Sequence, residues 1–333
     1  MQAAQAPTSN VLDVVGAHLD GIRLAQNESV GTVGSGAGSS ASTTSGVATG
    51  EASAANGVWG QVFGGHASQS ASSQVDGYSA NFGGLMLGYD RTLTDAWHTG
   101  GVFSYANTAV NNTGDTAGNT TRINSYGLMA YGGYTAAYWY ANLSGGVVLQ
   151  RYNGERQVDF TGFSGQAGSS YGGTQYVMRG EVGVPLNVGP ITVTPLASLT
   201  YSYLHQNNYT ENGGNGAALA VGSANLASVK SDLGAKFARA FQTSYGMIQP
   251  ELMLAWRHEY DHARTVTAAA YAADISGTSF TTLGASPVSD LADLSLGVTL
   301  LRANNLSLTA RYELEAGKGY VSNAGVLKAQ QLF

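Results

Sequence analysis

The sequence predicts an all-β membrane protein, a 12-stranded antiparallel transmembrane β-barrel preceded by one α-helix. Three observations carry this. Only 11% of the 333 residues are charged, where a soluble domain carries roughly a quarter. From Gly57 onward, apolar and polar residues alternate with a period of two. The alternating runs last about 9 to 14 residues, longer than the ~5–6 of globular strands and long enough for a tilted membrane strand. No run of apolar residues exceeds six, which excludes a spanning helix. Spanning strands stay open, because alternation averages their hydropathy away, and the mean hydropathy is −0.06.

Charge and cysteine content remove several function classes. A net charge of −6 excludes a strongly basic nucleic-acid binder and leaves no polybasic patch for an anionic leaflet. There is no Cys, so thiol nucleophiles, zinc–thiolate sites and disulfides are out. A cysteine-free chain also suits passage through an oxidising periplasm. The first residues, MQAAQAPTSN, have neither a basic n-region nor an apolar h-region. They read as the start of a mature or C-terminal piece rather than a secretory leader.

Three segments follow: 1–28, 29–56 and 57–333. In the first, Leu12, Val15, Leu19 and Ile22 recur at helical spacing, which predicts a helix over about Asn10–Gln26. Asn10 is the expected N-cap, with Asp13 in the first turn. At about 1.5 Å per residue the helix is roughly 25 Å long, close to the height of an outer-membrane apolar band. Gly16 and Gly21 weaken it by up to about 1 kcal/mol each, so it needs a surrounding wall. Residues 29–56 are Gly, Ser, Ala and Thr with a single charge, Glu51, and read as a flexible linker.

The twelve predicted strands are 57–66, 78–92, 97–110, 121–135, 138–152, 174–188, 191–207, 227–241, 247–264, 278–301, 305–317 and 325–333. Pro287 places the start of the tenth after itself. In MIQPELMLAWRHEY, Ile248, Pro250, Leu252, Leu254, Trp256, His258 and Tyr260 share one face. Gln249, Glu251, Arg257 and Glu259 share the other. Arg179 and Glu181 oppose Met178, Val182 and Val184 in the same way. Lipid takes the oily face and a hydrated lumen the charged one. Short turns near 92–96 and 186–190 alternate with long polar loops from Asn111, Asp159 and Asn207, matching periplasmic and extracellular sides. A soluble barrel would show the same alternation with its faces inverted. Strand length, low charge and girdle candidates Tyr138, Trp139, Tyr201, Tyr203, Trp256 and Tyr260 favour the membrane.

Helix, linker and twelve strands ending on an aromatic residue form an order that resembles the autotransporter β-domain family, the type V secretion translocators. NGVWGQVFGGHASQ (Asn56–Gln69) and GYSANFGGLMLGYDRTL (Gly77–Leu93) are similar to its first two strands. SDLGAKFAR with PELMLAWRHEY, and NAGVLKAQQLF, are similar to its late and closing strands. The resemblance implies a Gram-negative outer-membrane barrel with the helix inside the pore, delivering an N-terminal passenger and anchoring it. It implies as partners outer-membrane lipid and lipopolysaccharide, the barrel assembly machinery, periplasmic chaperones and the covalently linked passenger, around a monomer that takes no nucleic acid. Leu327 and Phe333 fit the family's C-terminal assembly signal, and Gln331 departs from it. Some members cut themselves at an Asn pair on the pore helix. This helix offers Asn27 alone, so the passenger is expected to stay attached or be cut by another protease.

Enzymatic readings find little support. RHEYDH (Arg257–His262) is the densest titratable cluster, but His258 and His262 would lie about 13 Å apart along a strand, and a zincin motif needs a helix. GGLMLG and GSGAG lack a P-loop Lys. No catalytic, cofactor or metal set is expected. Arg179, Glu181, Lys236, Glu251, Arg257, Glu259, Arg311, Glu313 and Glu315 are instead expected as lumen ion pairs that hold the helix. A translocator is the first reading and a passenger-less porin or adhesin barrel the alternative; an outer-membrane hydrolase lacks a nucleophile. The helix and linker separate the first two, because a porin needs neither.

Overall fold

The structure, a computed structural model, describes residues 2–30, 56–72, 75–274, 276–302 and 304–333. The expected linker therefore lies, from residue 31 to 55, outside the described residues. Twelve antiparallel strands form the wall: β1 (Asn56–Gln69), β2 (Tyr78–Thr94), β3 (Trp97–Asn112), β4 (Thr120–Thr135), β5 (Tyr140–Phe160), β6 (Phe163–Gly183), β7 (Ile191–Gln206), β8 (Ala224–Ala238), β9 (Gly246–Glu259), β10 (Asp290–Leu301), β11 (Leu306–Gly317) and β12 (Tyr320–Leu332). Each pairs with its sequence neighbour. β12 returns to β1 in register from Gly57↔Leu332 to Gln69↔Tyr320, closing the barrel. Closure leaves no wall strand edge facing lipid, where an unpaired N–H or C=O would cost several kcal/mol.

The oily faces point outward. Val62, Leu87, Leu128, Leu149, Leu199 and Leu327 are all exposed. Aromatics mark both ends of this band. Trp97, Tyr134 and Trp139 cluster at the short-turn end, with ring centroids 5.0 and 5.5 Å apart, and Tyr138 stands fully out beside them. Tyr105 and Tyr126 pair at 5.3 Å toward the other end, where Tyr201, Trp256 and Tyr260 also face outward and the Tyr203 hydroxyl donates to Asn225. Eight residues from Trp97 to Tyr105 make roughly 26 Å of strand, or about 20 Å of height at a ~40° tilt.

Four expectations are corrected. The Gly/Ser-rich stretch after Asp159 is strand rather than loop: β5 and β6 pair continuously from Tyr140↔Gly183 to Phe160↔Phe163. Its side chains carry almost no pattern, but backbone pairing and the stack of Tyr152 on Tyr171 at 4.8 Å hold it in the ladder. The predicted 278–301 strand is divided. Ser279–Leu283 leaves the wall, and β10 begins at Asp290, beyond Pro287, whose missing N–H bars it from the ladder. The ninth strand ends at Glu259 rather than 264, and the last begins at Tyr320 rather than 325. The segments between β7 and β8 and between β9 and β10 build a second sheet outside the wall, ordered Ser279–Leu283, Val266–Tyr271, Leu219–Val221, Tyr209–Thr210. Arg156 on β5 pins this roof, donating to Glu211 at 2.6 Å, while Glu211 also accepts from the Leu219 amide at 2.9 Å.

The helix, α1, runs Ala6–Val30 after a 3₁₀ turn at Gln2–Ala4. It begins a turn earlier than predicted, with the Ser9 amide donating to Gln5 O at 3.0 Å. Asn10 is thus no cap: its buried amide donates to Glu313 instead. Asp13 likewise lies beyond the first turn and faces arginines of the wall.

Candidate functional site: the pore and the helix that fills it

α1 occupies the lumen and divides it into two unlike halves. Toward β1–β6, Val11, Leu12, Val14, Val15 and Leu19 are buried against Trp59, Phe63, Met86, Val102 and Met129, among others. Ile22, at the end of that stripe, is half-buried. This corrects the expectation of a wholly charged lumen. In β1 the inward residues Trp59 and Phe63 are as apolar as the outward Val58 and Val62, and Gln61 between them is what marks the inner face by polarity. Such a wall suits a lumen filled by protein rather than water. Two glycines make room for its aromatics: a Cβ on Gly88 would stand 2.2 Å from the Trp59 ring, and one on Gly100 2.4 Å from Tyr131. Both contacts are impossible, so these rings lie flat on bare backbone.

Toward β6–β11 the wall is ionic, and the helix answers with a polar stripe of Asn10, Asp13 and Asp20. Two layers stack along the axis. In the one nearer the short turns, Lys236 bridges Asp20 of the helix and Glu181, 3.0 Å from the latter. Arg23 pairs with Asp20 and lies over the Tyr140 ring at 3.3 Å, and Tyr140 donates to Glu181 at 2.9 Å. In the layer nearer the long loops, Arg257 meets Asp232 at 2.6 Å, Asp293 at 3.0 Å and Asp13 at 3.3 Å, and also pairs with Glu315. Arg179 pairs with Asp13 and meets Asp232 at 3.2 Å. Charges this deeply buried require partners, and removing one member of such a pair costs about 3–5 kcal/mol.

The remaining sequence-derived residues fall in place around these layers. Arg311 and Glu251 pair at 3.1 Å. Glu259 accepts from Ser228 and from the Val229 amide. All nine wall charges point inward. Several lumen residues were not foreseen: Asp90, Asp232, Asp293 and Lys328 of the wall, and His18, Asp20 and Arg23 of the helix. His18 bonds Asp90 at 2.8 Å and Lys328 at 3.0 Å, its ring tilted against Trp59 with centroids 4.5 Å apart. Face parity would have found Asp232, which lies four residues before Lys236 on the same side. Asp13 and Asp20, seven apart, were a legible helix stripe.

At the long-loop mouth the start of the chain packs into the wall. Ala3 and Ala4 are buried with Val110, Ile123, Tyr152 and Leu204, Gln150 donates to Ala4 O at 3.2 Å, and Thr8 donates to Gln175 at 2.9 Å. RHEYDH is divided by the wall, with Arg257 and Glu259 inward. His258 shares Asp290 with Trp256 on the outside, at 2.8 and 2.9 Å. The His258 and His262 rings come within 6.3 Å, closer than a strand would set them, because β9 ends at Glu259.

A family model, Autotransporter beta-domain, matches residues 58–313. The chain belongs to the autotransporter β-domain family. Two curated relatives, each described as an extracellular serine protease of Serratia marcescens, are 23% identical over 207 residues, which is 62% of this chain and 19% of theirs. The chain thus spans about a fifth of their length. Among solved structures, the translocator domain of the autotransporter NalP from Neisseria meningitidis is similar at a TM-score of 0.65 and 16% identity, covering 96% of this chain and 98% of that one. The β-domain of the Bordetella autotransporter BrkA gives 0.59 and 18%, covering 83% and 98%. The transport unit of AIDA-I from Escherichia coli gives 0.58 and 15%, covering 83% and 90%. This autotransporter β-domain is an outer-membrane translocator barrel of a Gram-negative bacterium, the part of an autotransporter that delivers a covalently linked passenger and holds it at the surface. The family assigns it to that class rather than to passenger-less porins or adhesins. Leu327 of its last strand and Phe333 just beyond it are 60% and 66% exposed. Gln331 also faces outward, its amide tied to Asn304 O at 3.1 Å.

Proposed function

We propose that α1 is the resident plug and tether of this translocator: the last pore-spanning segment of the delivered chain, retained in the lumen. The two-sided grip carries the reading. An amphipathic helix finds its apolar stripe matched by β1–β6 and its acidic stripe matched by Arg179, Lys236 and Arg257. In this division, residues 1–28 are tether and plug, 29–56 return the chain to the barrel, and 57–333 are the barrel. The barrel assembly machinery and periplasmic chaperones insert it by reading outward residues of the last strand, Leu327 and Phe333 among them, and it works as a monomer among outer-membrane lipids and lipopolysaccharide. The barrel contributes no bond-making step. Activity resides in the passenger, which stays attached or is released by a separate protease; the side chain of Asn27 lies outside the described residues.

Single-channel conductance in a planar bilayer tests this, comparing the whole chain with one that starts at Gly57. The whole chain is expected to show a small or closed pore and the shortened one a large, stable opening. Equal conductance would return the function to the porin class.

A further inference from the structure

The chain has 15 Lys and Arg, and the lumen takes most of those on the wall. Only Arg91, Arg122 and Arg151 stand on the outward face of the wall strands, each next to a buried, inward residue: Asp90, Ile123 and Gln150. Arg91 lies at the short-turn end of β2. The other two are neighbours near the long loops. Across the β4–β5 ladder Asn124 faces Arg151 and Arg122 faces Asn153, so the two arginines share one diagonal, roughly 7–8 Å apart. Both are exposed, and among the described residues neither guanidinium has an ion pair or a hydrogen bond. Glu155, one row farther out, accepts from Gln166 at 3.3 Å and pairs with neither. Like charges set side by side without an acid cost stability, and a bound anion removes that cost.

Their level on the wall says which anion. Twelve residues of β4 separate Arg122 from Tyr134 of the short-turn aromatic cluster, roughly 40 Å of strand and about 30 Å of height at a ~40° tilt. The apolar band is ~25 Å tall, so the guanidiniums stand just past it, at headgroup level. The row that carries Arg151 also carries Asn124 and Asn107. Asn124 Oδ1 accepts from Asn107 at 2.9 Å and from the Tyr105 hydroxyl at 3.1 Å. Both bonds go to its oxygen, which fixes the carboxamide and leaves its N–H donors. One row down, Tyr126 faces Leu149, and below them Leu128 stands exposed on the same face.

We propose that this outward patch of β3–β5 binds the phosphorylated sugar headgroup of one lipopolysaccharide. Arg122 and Arg151 take the phosphate, each presenting a planar fork of N–H donors. Asn107 and Asn124 meet hydroxyl and amide groups of the sugar. The acyl chains run down over Tyr126, Leu149 and Leu128. From the long loops inward the wall therefore reads cation, amide, aromatic, aliphatic, and a lipopolysaccharide reads phosphate, sugar, acyl chain in the same direction. A phospholipid brings phosphate and chains but no sugar for the amides. Two arginines form no polybasic patch, so they suit a single headgroup rather than a charged leaflet. The inference deepens the reading that this barrel works among outer-membrane lipopolysaccharide, and it rests on that reading with the long loops facing outward; it is independent of the plug.

The test is native mass spectrometry of the whole chain folded in detergent and titrated with diphosphoryl lipid A, beside a parallel titration with phosphatidylglycerol. One lipid A per chain is expected to be retained, at least tenfold more tightly than phosphatidylglycerol. The double variant Arg122→Gln, Arg151→Gln is expected to lose at least tenfold in lipid A affinity. Arg151→Gln alone is expected to lose several-fold, and serves if the double variant does not fold. Arg91→Gln, outward at the opposite end of the wall, is expected to bind as the parent does. The proposal is overturned if the arginine variants retain lipid A as the parent does, or if Arg91→Gln loses as much as they do. It is overturned equally if phosphatidylglycerol is held as tightly as lipid A, since the arginines then read a phosphate alone. Lipid retention is read independently of conductance, so the failure of one leaves the other standing.

Discussion

The wall of β1–β5 and the wall of β6–β11 hold the same helix by different physics. The first offers buried apolar surface, worth about 25 cal/mol per Å² and insensitive to small slides along the axis. The second offers ion pairs between particular atoms, whose net energy is modest but whose loss leaves stranded charges. The first side therefore supplies retention, and the second sets how deep and at what rotation the helix sits.

Breaking the ionic side has the largest expected effect. Arg257→Ala strands Asp293 and Glu315 and leaves Asp13 and Asp232 to Arg179 alone; it should cost about 3–5 kcal/mol, read as frequent full openings in bilayer recordings. Leu12→Ala on the apolar side should cost about 2–4 kcal/mol, with no change in salt response. If the two losses are equal and additive in the double variant, the division of labour is wrong. Glycines sharpen the contrast between wall and helix. Gly88→Ala must displace Trp59 and should lower the unfolding midpoint by several degrees, an effect of about 1–3 kcal/mol. Gly16→Ala meets nothing closer than Glu181 Oε2 at 3.9 Å, and should stabilise the helix by up to about 1 kcal/mol, read as rarer openings.

The smallest effect lies outside the membrane. Asp76 takes hydrogen bonds from Thr116, which hold its carboxyl below the usual range. A depressed acid stabilises above its unfolded pKa and loses that contribution as pH falls through the folded one. Amide protection at residues 113–119, taken relative to the intrinsic exchange rate at each pH, should therefore fall below about pH 4, and Asp76→Asn should show the lower protection at neutral pH.

Much of this was legible in the sequence because strand parity is a strict rule. Once Arg257 was set inward, Glu251 and Glu259 followed, and the outward path of Leu254 and Trp256 came with them. The apolar half of the lumen was poorly legible, since between Val58 and Phe63 a single glutamine, Gln61, marks the inner face while Trp59 and Phe63 beside it are as apolar as the outward valines. The length of β5 and β6 was hidden for the opposite reason: FSGQAGSSYGG has too few side chains to show a period. The start of α1 escaped because Asn10 has good capping chemistry and spends it on Glu313. Helical spacing of Asp13 and Asp20 showed a polar stripe, but the wall cations that answer it, Arg179, Lys236 and Arg257, come from strands more than 160 residues away.

The helix begins at the long-loop mouth and ends at the short-turn side, where Asn56 starts the wall beside Phe333. A pull on its first residues is therefore directed along its own axis. Every rung of the grip, from Asn10–Glu313 through Asp13–Arg257 to Asp20–Lys236, lies crosswise to that load. Rungs set crosswise share tension in parallel and yield together; rungs in line would peel one at a time. Forced extraction is governed by the barrier to that collective rupture rather than by the equilibrium energy of any single contact. As a mechanical joint the lumen works in shear, the geometry in which many weak bonds hold a rope best.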